Sequence, residues 1–176
     1  MIRFTKGIFG AQYQNFGEMR TLGVEFEVKA DIFPFLYTYG NATYQDLRDV
    51  RSHEEGSNIP NATKGKRMPN IPYFMGNAGL EFHKENLFGG KGPNTRLFVY
   101  LAFVEEYLYD FEITENAKRR IPRSTTIDLG FEYSFMNQRL FISGKIKNLT
   151  SSTILSEFNR PLPGRSFGVK LRYVFR

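Results

Sequence analysis

The sequence predicts an all-β protein: an antiparallel meander of about seven long strands that forms a segment of a transmembrane β-barrel. Three observations lead there. Apolar and polar residues alternate in segments of about ten residues, the length that a tilted strand needs to cross a bilayer (about 9–11) and longer than the usual strand of a globular domain (about 5–6). The connections alternate short and long, as they do where one barrel rim carries tight turns and the other carries loops. Where the alternation is clearest, one face is charged and the other is bulky and aromatic.

The first segment, 18–28, places Leu22, Val24, Phe26 and Val28 on one face and Glu25 and Glu27 on the other. A short turn is expected at Lys29–Asp31. Residues 32–46 put Phe33, Phe35, Tyr37 and Tyr39 on one parity and lead into the long connection Leu47–Asn70. Residues 73–84 set Phe74, Ala78, Leu80 and Phe82 against Asn77, Glu81 and His83. The Gly-rich connection Glu85–Asn94 follows, of intermediate length. Residues 96–110 are apolar on both parities at their start, so their facing stays open. After the long connection Phe111–Arg123 comes the clearest case, 124–135. There Ile127, Leu129, Phe131, Tyr133 and Phe135 oppose Thr126, Asp128, Gly130, Glu132 and Ser134. A very short turn, Met136–Gln138, leads to 139–149, with Leu140, Ile142 and Ile146 against Ser143, Lys145 and Lys147. The long connection Thr150–Pro163 precedes the tail, where Phe167, Val169, Leu171, Tyr173 and Phe175 alternate with Ser166, Gly168, Lys170 and Arg172.

In a soluble barrel the apolar face of such strands points inward; in a membrane barrel it meets lipid and the polar face lines the lumen. Tyr39, Tyr44, Tyr107, Tyr109 and Tyr173, at segment ends, are placed in an interfacial aromatic girdle. Aromatics make up 16% of the chain, which favours strands, and 41% hydrophobic content rules out a disordered composition. The absence of cysteine excludes disulfide frameworks and Cys-ligated zinc. The net charge of +6 suits a surface near anionic lipid or nucleic acid. No stretch is apolar enough for a spanning helix.

Asn148-Leu149, a loop and then PLPGRSFGVKLRYVF resemble the end of a TonB-dependent outer-membrane receptor. In that family an Asn-Leu pair closes the penultimate strand, and a Pro-Gly-Arg turn feeds a last strand that ends near an aromatic. GVEFE (23–27) after QYQNFGEMR, NATYQD (41–46), RMPNIPYFMGNAGLEF (67–82) and IPRSTTIDLGFEYSF (121–135) resemble further barrel strands of the family in the family's order. The resemblance runs from about residue 12 to 175. It departs at Arg176, which follows the terminal aromatic, and in the lack of a plug domain and an energy-coupling box. It implies that residues 1–176 are one partial domain, the C-terminal wall of a receptor barrel in a Gram-negative outer membrane. Such receptors import a ferric siderophore, haem or a similar scarce ligand, with energy from a TonB complex that acts through the N-terminal part. Seven strands leave two open edges, which hydrocarbon does not tolerate. A truncated or split receptor is therefore expected.

Other chemistry finds little footing. In HEEGS the second histidine of a zinc-protease pattern falls at Ser57, and His53 and His83 are the only two histidines, so no metal site and no enzyme is expected. GGKGP (89–93) lacks the Ser/Thr of a phosphate loop and reads as a turn. Asp128 and Glu132 share a face as lumen-wall carboxylates do. No cofactor is expected. The loops carry the basic runs KGKR (64–67) and KRR (118–120). Arg51, His53, Lys64, Lys66, Arg67, Lys118, Arg119 and Arg120 are the candidate contacts for an anionic iron chelate or for lipopolysaccharide and membrane lipid. Nucleic acid is not expected, because the aromatics follow strand parity and not a basic groove. The alternative reading is a soluble lipocalin-like barrel with a small hydrophobic ligand. Its apolar face points inward, and IRFTKGIFG supplies an eighth strand. A passive porin is disfavoured by the odd strand count.

Overall fold

The computed structural model describes residues 2–7, 10–15, 17–54, 57–87, 89, 93–111, 119–157 and 160–175. Among these, seven strands make one antiparallel sheet in chain order: β1 (Met19–Phe33), β2 (Leu36–Asp49), β3 (Phe74–Glu85), β4 (Asn94–Val104), β5 (Ser124–Phe135), β6 (Leu140–Lys147) and β7 (Ser166–Tyr173). The meander is open: β1 and β7 each have a neighbour in this sheet on one side. Because successive strands run antiparallel, connections 34–35, 86–93 and 136–139 gather at one rim. Connections 50–73, 105–123 and 148–165, all longer, gather at the other.

Several boundaries differ from the sequence reading. The first turn is not at Lys29–Asp31. β1 continues through those residues, pairing Lys29 with Tyr39 and Asp31 with Tyr37, and the chain reverses at Pro34-Phe35. Proline fixes φ for a turn and cannot donate to a ladder, so Pro34 and not Lys29–Asp31 stops the strand. The shift turns Tyr37 and Tyr39 onto the opposite face from Leu36, which corrects the expected grouping with Phe33 and Phe35. It also moves Tyr39 out of the girdle. The fourth strand ends at Val104; Tyr107–Leu108 pairs with Arg120–Ile121 in a separate small ribbon, which takes Tyr107 out of the sheet as well. Phe175 lies beyond the last strand, and Arg176 lies outside the described residues. Ile2–Gly7 does not join the sheet as an eighth strand; it pairs with Gly10–Asn15.

Residues directly opposite in register share a face, so the faces can be read across the whole sheet. One face carries the rows Val24–Tyr44–Phe74, Val28–Gly40–Ala78–Leu101–Ile127, and Leu36–Phe82–Leu97–Phe131–Gly144–Val169. The other carries Glu27–Asn41–Asn77–Ala102–Thr126 and His83–Arg96–Glu132–Ser143–Lys170. In central β4, Leu97, Val99 and Leu101 remain 46%, 43% and 38% exposed, while Phe98 and Tyr100 between them are half-buried. A central strand of a soluble sheet hides its apolar side. Here that side is bare, and the buried apolar residues among those described (Met68, Phe111 and Ile121) all lie in the long connections. Among the described residues, the apolar side of β4 is thus left exposed, as a lipid-facing surface requires. On β1 it runs from Leu22 to Ile32. At about 3.4 Å per residue and a tilt of about 40°, that rises roughly 26 Å, against about 25 Å for the apolar band of outer-membrane barrels.

Candidate functional site

The polar face is built around aromatic rings and ion pairs. Tyr39 lies beside Tyr100 with ring centroids 6.1 Å apart, and Phe98 stacks on Tyr100 at 5.0 Å. These rings lie over glycines of the neighbouring strands. A Cβ at Gly79 would fall against the Tyr39 ring, and one at Gly130 against the Phe98 ring. Glycine is needed at both positions because the rings lie flat against the backbone. Toward the short-turn rim, Arg96 donates two hydrogen bonds to Glu81, at 2.6 and 2.8 Å. Around this pair Glu81, His83, Arg96, Glu132 and Phe141 line a polar hollow of about 310 Å³. Arg172 lies over the Phe141 ring at 3.9 Å. This face thus carries fixed charges and flat aromatic surfaces.

The long-loop rim is ordered by one carboxylate. Asp49, at the end of β2 beyond the apolar belt, is 0% exposed. It accepts hydrogen bonds from the Arg51 backbone N–H (3.1 Å), Arg51 Nε and Nη2 (3.1 and 2.9 Å), Asn61 Nδ2 (2.9 Å) and Thr63 Oγ1 (2.7 Å). Burial alone would raise its pKa. The donors, led by Arg51, outweigh burial and hold the carboxyl well below the usual range. Around this anchor the loop turns at Gly65, whose φ is +76°, and returns along β2. The Asp49 N–H donates to Lys66 O at 3.1 Å, and the Met68 N–H to Leu47 O at 2.9 Å. Met68 then packs with Phe111, Leu47 and Ile71. The Asn70 N–H donates to Leu108 O at 2.6 Å, which ties the first long loop to the second.

Between these two loops is a cleft of about 380 Å³. Arg48, Lys66, Arg67 and Arg120 bring cations to it, Glu106 brings one carboxylate, and Tyr73 and Tyr107 give it aromatic walls. Asp46 accepts from Arg48 Nε at 2.7 Å and Arg67 Nε at 2.9 Å, and Arg48 Nη1 also donates to Gly65 O. The Arg67 guanidinium lies 4.5 Å from the centre of the Tyr73 ring. Arg120 Nη1 donates to Glu106 Oε1 at 2.7 Å. Preformed arginine forks in excess over carboxylates suit a phosphate or carboxylate ligand.

Of the residues singled out in the sequence, the cleft brings Lys66, Arg67 and Arg120 together. Arg51 is instead bound to Asp49. Lys64 donates to Ser52 Oγ at 3.0 Å, and exposed His53 bridges through its backbone to Pro60. Arg119 is exposed, and its carbonyl accepts from the Tyr109 N–H. Lys118 lies outside the described residues. Sequence reasoning missed Arg48, Tyr73 and Glu106, and it placed Tyr107 in the girdle and not in this cleft. The available signal was the parity of Arg48, which continues the Tyr44–Asp46 face of its strand. Among the described residues no group of three or more metal-ligating side chains occurs.

Residues 3–149 match a family model described as TonB dependent receptor-like, beta-barrel. No curated protein matches in sequence. Among solved structures, the chain resembles the ferric yersiniabactin uptake receptor FyuA from Yersinia pestis, at 17% identity and a TM-score of 0.73, over 94% of this chain and 25% of that one. It also resembles BauA, the ferric preacinetobactin receptor from Acinetobacter baumannii, at 18% identity and TM-score 0.67, over 93% of this chain and 23% of that one. The siderophore receptor PiuA from Acinetobacter baumannii gives 16% identity and TM-score 0.67, over 92% and 22%. The chain thus spans about a quarter of the length of these receptors.

Proposed function

The chain belongs to the TonB-dependent receptor β-barrel family, and from that premise we propose that it is a wall segment of a receptor for active uptake of a scarce ligand across a Gram-negative outer membrane. Residues 1–176 act as one partial domain, and strands from outside them close the two open edges. The sheet's division into a bare apolar face and a charged, aromatic face carries this reading. It supports lipid on one side and an aqueous ligand path on the other. The solved relatives are receptors for ferric yersiniabactin, for ferric preacinetobactin and for a siderophore, which supports a ferric chelate as the ligand class. Haem is the next candidate. Uptake draws energy from a TonB complex through a part of the receptor outside this segment. No catalytic step is assigned to the chain. A soluble lipid-binding barrel gains no support, since its apolar face would have to be filled.

The test is accumulation of radioactive iron from a panel of ferric chelates, in iron-starved cells whose other receptors have been deleted. Accumulation of at least one chelate should require the protein and stop when TonB is deleted. Accumulation that persists without TonB would contradict active uptake.

A further inference from the structure

Three arginines at the long-loop rim stand in a row that a ligand path through the lumen leaves unused. Register sets Arg20 of β1 directly opposite Arg48 of β2, and Arg48 bridges in turn to Arg67 of the returning loop. Like charges directly across a ladder destabilise it. Asp46 is the carboxylate that bonds to two of them, Arg48 and Arg67, while exposed Arg20 has no partner among the described residues. The row continues the apolar face, not the polar one. Two residues below Arg48 is Asp46, opposite Leu22; below that come Tyr44 and Val24, also paired and exposed. The Tyr44 hydroxyl accepts from Arg67 Nη2 at 3.4 Å. Behind the row, the cleft of about 380 Å³ adds Lys66 and Arg120.

We propose that this row is a binding site for the phosphate of an outer-leaflet lipid, held by Arg20, Arg48 and Arg67, with the headgroup entering the cleft. The height supports it: the row begins where the apolar belt stops, which is where headgroups lie. The facing supports it too, since a soluble chelate travelling through the lumen would pass on the other side of the sheet. Arginine is the suitable side chain, because its planar fork takes phosphate oxygens two at a time. A phosphate also relieves the like-charge contact between Arg20 and Arg48. The site does not depend on which ligand the receptor imports.

The experiment uses the full chain, extracted with a neutral detergent from the membranes that produce it. The protein is mixed with lipid A or with dephosphorylated lipid A, and the lipid that co-purifies is measured. Phosphorylated lipid should be retained in preference to the dephosphorylated form, and retention should fall about fivefold for each arginine neutralised. Arg48→Gln and Arg67→Gln also disturb the loop, so Arg20→Gln, on an exposed position with no partner to lose, is the deciding variant. Arg20→Gln that retains lipid A as the parent does would overturn the proposal. So would equal retention of the two lipids, or complete displacement by inorganic phosphate, which would mark a site for small soluble anions.

Discussion

At the scale of single residues, the long-loop rim depends on Asp49. Replacing it with alanine removes the shared acceptor of Arg51, Asn61 and Thr63 and leaves the Arg51 guanidinium without its carboxylate. Breaking a buried charge pair on one side typically costs about 3–5 kcal/mol. The loss should stay local, because the sheet's ladder does not run through residues 50–66. In hydrogen exchange, Asp49→Ala should lose protection over 50–66 while β3 to β6 keep theirs. The same carboxylate sets a pH dependence. Its folded pKa is depressed, so its contribution is fully present above the unfolded value of about 3.9 and fades only as pH falls through the lower folded value. Loop protection should therefore be flat from neutral pH down to about 5 and weaken only in strong acid. Which basic residues matter was half legible at this scale. Lys66 and Arg67 stand out as a run of charge. Arg48 is hidden as one polar residue in an alternating strand, and its link to Arg67 arises from the loop's return path.

At the scale of the strand, facing decides what a position tolerates. Val99 and Ala102 lie in the same central strand on opposite faces. Val99→Arg places a guanidinium on the lipid side, where a charge near the midplane costs about 2–4 kcal/mol, whereas Ala102→Arg points into the polar face. Membrane-inserted, heat-modifiable protein should fall sharply for Val99→Arg and remain near the parent level for Ala102→Arg. The strands themselves were legible where alternation is undisturbed. Residues 124–135 read as one segment and form β5 with those bounds, because polar and apolar side chains separate cleanly there. The reading failed where two signals conflict. Lys29–Asp31 reads as a short connection, yet Lys29 and Asp31 line the polar face within the strand, and Pro34, three residues past Asp31, sets the reversal. Tyr107–Leu108 looked like the end of a strand by apolar content. It pairs instead with Arg120–Ile121, a contact between distant residues that local pattern does not carry.

At the scale of the molecule, the central claim is that the apolar face meets lipid and the charged, aromatic face meets water. The alternation itself was visible in the sequence, but its sign was not, since a soluble barrel and a membrane barrel share the same pattern. The sign came from packing: among the described residues, Leu97, Val99 and Leu101 of central β4 stay exposed, and the buried apolar residues lie up in the loops. The chain has no cysteine, so single cysteines can report on it one position at a time. The most direct measurement places a spin label in turn at residues 97 to 102 of β4 in the membrane-inserted protein and compares collision with oxygen, which concentrates in lipid, against a water-soluble nickel chelate. Labels at Leu97, Val99 and Leu101 should respond to oxygen, and labels at Phe98, Tyr100 and Ala102 to the nickel chelate. The opposite phase, or labels at 97, 99 and 101 shielded from both reagents, would show the apolar face packed inward and contradict the account.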